Sequence, residues 1–122
     1  MDTPPTIGIR LFNIGTPVPY IPIDAGRVPC RFSIKLGGRT FVLTVKYNDP
    51  GDFFTMDLET AGGEILASGD PVRYGRPLFG SVEDERFPLP VLIPQCFTGD
   101  GIRRVTLGNF GREVKLYLHE RW

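Results

Sequence analysis

Few residues of this 122-residue sequence have the chemistry of a catalytic centre. His119 is the single histidine and lies between Leu118 and Glu120, and the sequence does not indicate the geometry that a histidine-based acid–base role needs. None of the serines lies in a GxSxG nucleophile elbow. We therefore predict that the protein is not an enzyme.

Carboxylates are concentrated in the middle of the chain, where oxygen ligands could bind a hard cation. They are Asp49, Asp52, Asp57 and Glu59. The alternating ligands and distal glutamate of a calcium loop are absent, and residues 48–52 are instead typical of an Asx turn. Two carboxylates that alternate on one strand are also too common a pattern to indicate a glycosidase. We predict no metal and no cofactor.

The cysteines and the paired glycines both have structural interpretations. Cys30 and Cys96 are far apart and lack CxxC or Cys/His spacing, so we expect reduced structural thiols. Gly37-Gly38 and Gly62-Gly63 do not lead from a strand into a helix, as phosphate-binding loops do. We interpret both glycine pairs as tight turns.

Aromatic residues are frequent in the first half of the chain, and a base-stacking platform is one interpretation of them. They are Phe32, Phe41, Tyr47, Phe53 and Phe54. All except Phe53 fall on the apolar side of an alternating pattern, which favours core packing. The formal net charge of zero also lacks the basic excess of a nucleic-acid binder.

The main structural feature of the sequence is a run of apolar and polar alternation over residues 32–68. Four short segments with a period of two are separated by turn residues, and this period is typical of strands. The sequence predicts an antiparallel meander here. Further strands are predicted at residues 6–14 and 91–93, and a closing hairpin is predicted to join residues 102–107 to residues 112–120.

Prolines separate this strand pattern from two other segments. Six prolines within residues 1–29 exclude a helix and disfavour a central strand, so we predict an extended arm that pairs with its own sheet or adds a strand to a neighbour's. Residues 69–90 are predicted to form a long loop with at most one short helical turn, at residues 81–86.

These patterns predict an all-β fold, a small antiparallel barrel or sandwich of about seven strands. The expected organisation is an arm at residues 1–29 followed by one β domain at residues 30–122. No apolar stretch is long enough to span a membrane, and residues 1–5 lack the features of a secretory signal, so we expect synthesis in the cytoplasm.

Charge is unevenly distributed along the chain. Residues 1–46 carry six basic and two acidic side chains. Residues 47–70 carry no basic and six acidic side chains, and residues 71–122 carry eight basic and six acidic side chains. The basic flanks and the acidic middle could complement one another between subunits. Ordinary solvated charge on the outer faces of strands is the alternative.

The ordered set of these segments resembles the baseplate plug proteins of contractile-tailed bacteriophages. The segments that carry the resemblance are Ile21-Pro22-Ile23-Asp24, Phe32-Ser33-Ile34-Lys35-Leu36, residues 41–49, residues 54–58, residues 63–69, Leu107-Gly108 and Val114-Lys115-Leu116-Tyr117. Tyr47 and Phe54 stand where tryptophan is expected, and the segments before Tyr20 and around residues 80–90 look longer than in the family.

The resemblance implies a structural virion subunit at the tip of the tail tube, assembled in the host cytoplasm. The implied partners are the baseplate hub and spike, the tail tube and other copies of the chain, with a trimer preferred and a hexamer as the alternative. The alternative function is a β-sandwich module that binds carbohydrate or peptide. The candidate partner-binding residues are Ile7, Ile9, Leu11, Tyr20, Tyr74 and Phe79.

Overall fold

The computed structural model describes residues 4–80, 91–99 and 101–119. In these residues eight strands form two four-stranded antiparallel sheets, which confirms the all-β prediction and favours the sandwich over the closed barrel. The strands are β1 (Arg10–Asn13), β2 (Pro17–Ile21), β3 (Cys30–Leu36), β4 (Arg39–Asn48), β5 (Phe53–Thr60), β6 (Ile65–Pro71), β7 (Val91–Gln95) and β8 (Lys115–His119). One turn of 3₁₀ helix, Ala25–Arg27, precedes β3.

The predicted meander forms one sheet, in the order β3-β4-β5-β6, which we call the meander sheet. Its register places apolar side chains opposite one another, as in the row Phe32, Leu43 and Leu58 across three strands. The predicted turn between β4 and β5 is also present, and Asn48 Oδ1 accepts a hydrogen bond of 3.0 Å from Gly51 N. Alternation determines which face of each strand is buried.

The remaining strands form the second sheet, in the order β1-β2-β8-β7. β2 is an inner strand although it contains Pro17 and Pro19. Both prolines pair only with β1, and pairing with β8 begins at Tyr20 and Ile21. The N–H groups that proline lacks are therefore not needed for pairing with β8. The prolines were predicted to disfavour a central strand, and β2 is an inner strand because its pairing with β8 begins after Pro19.

The core contains side chains from both sheets and from the loops that close them. Its fully buried members include Ile21, Ile34, Leu43, Val45, Phe54, Met56, Leu58, Leu92, Phe110, Val114 and Leu116. This arrangement confirms the prediction that most aromatic residues of the meander pack inward.

The predicted closing hairpin is wrong. β8 pairs with β7 and β2, and residues 102–107 form no strand. Side chains hold this loop instead: Asn109 Oδ1 accepts from Thr106 N at 2.8 Å, and Asp52 Oδ1 accepts from Leu107 N at 3.1 Å. Because these side chains satisfy the backbone, Val105 can be buried without a strand ladder.

The long loop was predicted to begin at residue 69, but β6 extends to Pro71, and the described residues that follow β6 run beside β7. Gly75 N donates to Pro94 O at 2.8 Å, and Leu78 N donates to Leu92 O at 2.7 Å. The segment therefore covers the outer edge of β7. The helical turn predicted at residues 81–86 lies outside the described residues. None of the helical structure among the described residues is long and apolar enough to cross a membrane.

Candidate interaction surface

The six predicted partner-binding residues differ widely in exposure. Leu11 on β1 is 67% exposed and Ile9 is 37% exposed, whereas Ile7, Tyr20 and Tyr74 are half-buried. Ile7, Ile9 and Tyr20 line the same cleft, and Leu11 lies beside it on β1. Whether any of the six contacts a partner stays a prediction.

Phe79 is not the surface aromatic that the sequence indicates. Its side chain is 1% exposed and belongs to the hydrophobic core. The backbone adopts a left-handed conformation there, with φ of 59°, and Phe79 N donates to Asp70 Oδ2 at 2.7 Å. This turn directs the side chain inward together with Leu78, so that Phe79 is unavailable as a platform.

Tyr74 has a local structural contact. Its hydroxyl oxygen accepts a hydrogen bond of 3.1 Å from Cys96 N, just after the end of β7. With the hydrogen bond from Gly75, this contact attaches the long loop to the second sheet.

Tyr20 belongs to an aromatic cluster on the outer face of the second sheet. Its ring and those of Phe12 and Phe97 surround Tyr117, with centroid distances of 6.0, 6.3 and 4.6 Å to the Tyr117 ring. Burial raises the pKa of Tyr117 to about 12, and the side chain is 1% exposed. Lys115 Nζ lies over the rings of Phe12 and Tyr20, 5.6 and 5.3 Å from their centroids.

Sequence reasoning missed this cluster because Tyr117 has the position of an outward-facing residue. It alternates with Leu116 and Leu118, which pack against the core. The signal that remains is the cross-strand neighbour Tyr20, but the pairing of β2 with β8 joins residues nearly one hundred positions apart. No local period reveals such a pair.

The N-terminal segment pairs with the chain's own meander sheet. Ser33 N donates to Pro5 O at 2.8 Å, and Ile7 N donates to Ser33 O at 2.9 Å, in a parallel bridge along the edge of β3. The chain then crosses to the second sheet as β1. Of the two predicted uses of the arm, the structure therefore contains the intramolecular one at residues 5–7.

A cleft of ≈ 820 Å³ lies between this segment and the ends of β2 and β3. Its apolar walls include Ile7, Ile9 and Phe32. The charged side chains around it are Arg10, Asp24, Arg27, Arg31 and Lys115, so that four are basic and one is acidic. The cleft therefore combines apolar walls with a positive rim.

Two of these cations already have carboxylate partners. Arg27 pairs with Asp24 at 3.4 Å, and Arg31 pairs with Glu59 at 2.8 Å. Arg10 has no hydrogen bond or ion pair with any described residue. Lys115 Nζ donates to the carbonyl oxygen of Arg112 at 2.8 Å and has no carboxylate within ion-pair distance in the described part of the chain. Within the described residues, Arg10 and Lys115 are therefore the two cations of this rim that lack a carboxylate partner.

Three of the six acidic side chains of residues 47–70 form ion pairs within the same chain. Glu59 pairs with Arg31, Asp57 with Lys46 at 3.0 Å and Asp52 with Arg104 at 3.3 Å. Each base comes from a flanking segment, so the charge complementarity that the sequence indicates occurs inside one molecule at these three carboxylates.

Asp52 is the most connected of these carboxylates. Tyr47 Oη donates to Asp52 Oδ1 at 2.7 Å, and Leu107 N donates to the same oxygen. These two hydrogen bonds lower the pKa of Asp52. The hydrogen bond between Tyr47 and Asp52 also raises the pKa of Tyr47 to about 12. The Asp52 carboxylate thus connects the β4–β5 turn to the loop before β8.

The remaining reactive side chains have ordinary surroundings. His119 Nε2 lies 2.7 Å from Gln95 Oε1 on the neighbouring strand. Cys30 and Cys96 are free thiols, and burial raises the pKa of Cys30. No group of three or more potential metal ligands occurs among residues 4–80, 91–99 and 101–119.

Comparison with known proteins gives one informative result. The model of a family described as the cyanophage baseplate Pam3 plug gp18 matches residues 18–121. No curated protein and no solved structure matches the chain significantly. Seven of the eight strands lie wholly or almost wholly within the matched residues, and β1 lies before them. The chain belongs to the cyanophage baseplate Pam3 plug gp18 family.

Proposed function

We propose that this protein is a structural subunit of a phage tail baseplate that acts by binding neighbouring tail proteins. The observation that carries the proposal is the family match over residues 18–121, which includes the whole meander sheet and most of the second sheet. The same membership supports the prediction of a non-enzymatic protein in the virion tail.

The fold supports a binding role through the surface at the start of the chain. This surface combines an exposed edge strand, the cleft beside it and two cations without carboxylate partners among the described residues. A structural subunit needs surfaces of this kind, because it contributes by contacts with its neighbours.

In the finer form of the proposal, the protein packs against the hub and spike at the tip of the tail tube. Other copies of the chain complete a ring, with three copies preferred and six as the alternative. The protein is made in the host cytoplasm and enters the virion during tail assembly.

Quantitative mass spectrometry of purified tails tests this function. Tails are separated from capsids and free protein on a gradient, and the copies of this chain per hub subunit are counted. The proposal expects a fixed whole-number ratio, with three or six copies per baseplate. Absence of the chain from intact tails, or a ratio that varies between preparations, would contradict it.

The aromatic cluster favours a second candidate function, a module that binds carbohydrate or peptide. Phe97 is 39% exposed at the edge of the cluster, and Tyr20 is half-buried beside it. A glycan array and a peptide array on the purified chain separate the two functions. A glycan or peptide binder gives ligands without any tail protein present, whereas a baseplate subunit gives none and binds when hub or tube protein is added.

A further inference from the structure

The four edge strands of the two sheets are not equally protected. Residues 5–7 bond along β3, and Gly75 and Leu78 bond along β7. The pairing of β6 with β5 is interrupted by register shifts at Leu58, and such bulges make an edge a poor template for another strand. β1 keeps a regular register with β2, and no other segment within the described residues pairs with it.

The prolines of β2 determine which backbone groups of β1 face outward. Antiparallel partners alternate between hydrogen-bonded and non-hydrogen-bonded pairs. Proline has no N–H, so the pairs Leu11–Pro19 and Asn13–Pro17 are the non-hydrogen-bonded ones. The N–H and C=O groups of Leu11 and Asn13 therefore point away from β2, toward the free edge. They form a regular set of donors and acceptors for one more strand.

The side chains at this edge indicate the character of that strand. Leu11 is 67% exposed, the most exposed large hydrophobic side chain in the described part of the chain, and Ile9 is 37% exposed. Arg10 lies between them, and Lys115 lies across the cleft that Ile9 and Arg10 line. A strand with apolar side chains toward Leu11 and carboxylates toward the two cations would complement this surface.

We propose that β1 accepts an extended acidic segment of a neighbouring tail protein as a fifth strand of the second sheet. The inference rests on the proposed function and specifies one of its contacts. A second copy of this chain fits less well, because its acidic strand β5 already pairs with β4 and β6, and three of the six carboxylates of residues 47–70 already form ion pairs within the chain. β1 also precedes the family match, so Arg10 and Leu11 lie outside the matched residues, whereas Lys115 lies within them.

Two substitutions with matched controls test the contact. Leu11→Glu places a carboxylate against the apolar side chains of the added strand, and Ile65→Glu is its control because Ile65 is 65% exposed on another edge strand. Arg10→Glu reverses the charge, and Arg39→Glu, at an exposed position at the start of β4, is its control. All four variants are checked for cooperative thermal unfolding, and their copies per hub subunit are counted in purified tails.

The expected result is that Leu11→Glu and Arg10→Glu each reduce incorporation about tenfold or more, while both controls incorporate like the wild type. Folded Leu11→Glu and Arg10→Glu chains that incorporate normally would overturn the inference and leave the proposed function intact. If Leu11→Glu does not fold, Arg10→Glu alone decides by the same criterion. A wild-type chain absent from tails removes both proposals.

A photo-reactive amino acid in place of Asn13 identifies the neighbour in assembled tails. The cross-linked peptide is sequenced by mass spectrometry, with the same residue in place of Ile65 as control. The inference expects a peptide with two or more carboxylates, from a different tail protein, at position 13. A cross-link to another copy of this chain, or to a segment without an acidic excess, would overturn it.

Discussion

At the scale of single residues, Asp52 connects more of the molecule than any other carboxylate described. Tyr47, Arg104 and the backbone of Leu107 all donate to its side chain, although their sequence distances from it range from five to 55 positions. The loop before β8 has no strand ladder to hold it, so these hydrogen bonds fix its position relative to the meander sheet. The carboxylate should therefore matter for stability in a pH-dependent way.

We expect Asp52→Asn to lower the free energy of unfolding at pH 7, because Arg104 loses its ion pair and Tyr47 and Leu107 lose a charged acceptor. The pKa of Asp52 is below its ordinary value of 3.8 in the folded protein. Its stabilising contribution is thus present above pH 3.8 and is lost as the pH falls through the folded-state pKa. Urea unfolding at pH 7 and pH 3 measures the loss. The difference between wild type and variant should shrink at pH 3, whereas an unchanged difference would refute this role.

Asp49→Asn is the matched control, since the Asp49 side chain makes no hydrogen bond or ion pair with the described residues. Its unfolding free energy should stay close to that of the wild type at both pH values. A loss as large as that of Asp52→Asn would show that general charge, rather than the contacts of Asp52, is responsible.

Tyr47 provides a spectroscopic test of the same contact. The hydrogen bond to Asp52 raises its pKa to about 12 from an ordinary 10.0, so the contact stabilises the fold below pH 10 and is lost as the pH rises through 12. ¹³Cζ-tyrosine NMR follows the ionisation directly. In Asp52→Asn the midpoint of Tyr47 should fall toward 10, and Asp49→Asn should cause a smaller fall. An unchanged midpoint in Asp52→Asn would exclude the hydrogen bond.

At the scale of elements, the meander sheet was predictable because its information is local. Each strand of residues 32–68 alternates with a period of two, and each turn contains residues suited to it, such as Gly38 with φ of 85°. The second sheet was less predictable because its inner pairs connect β2 to β8 across almost the whole chain. Val105 illustrates the same limit. Its side chain is buried in a loop whose backbone is held by side-chain hydrogen bonds, and a loop of this kind has no periodic sequence pattern.

Leu43→Asp tests the assignment of faces within the meander sheet. Leu43 is 0% exposed and lies between Phe32 and Leu58, so a carboxylate there would be buried without a partner. We expect a loss of several kcal/mol, enough to unfold a domain of this size. Circular dichroism and urea unfolding measure it.

Thr40→Asp is the control for this substitution, because Thr40 is on the same strand but exposed. It should change stability by about 0.5 kcal/mol or less. A folded Leu43→Asp protein with an unchanged melting temperature would contradict the assignment of Leu43 to the core.

The division at residue 29 stays a prediction, and two truncations test it. Removing residues 1–9 deletes two backbone hydrogen bonds to Ser33 and the packing of Ile7, while all eight strands remain. We expect cooperative unfolding with a loss of about 2–4 kcal/mol. Removing residues 1–21 also deletes β1 and β2 and exposes Tyr117 and Leu116, so cooperative unfolding should be lost. Equal stability of the two truncated chains would support an arm that is separate from the β domain.

At the scale of the whole molecule, family membership and surface properties lead to the same account. Ion pairs neutralise three carboxylates of the acidic segment within the chain, and two edge strands are covered by the chain's own segments. Among the described residues, the edge with a regular register and no covering segment is that of β1, beside the cleft. Candidate site residues such as Leu11 were predictable from their place in a proline-rich segment, whereas Phe12, Lys115 and Tyr117 required the non-local pairing of the second sheet.

Cryo-electron microscopy of an intact tail that contains this chain is the most direct test of the central claim. The account expects density for the two four-stranded sheets in the baseplate, at the tip of the tail tube and in contact with the hub. Density for this fold elsewhere in the particle, or a complete baseplate without it, would contradict the account.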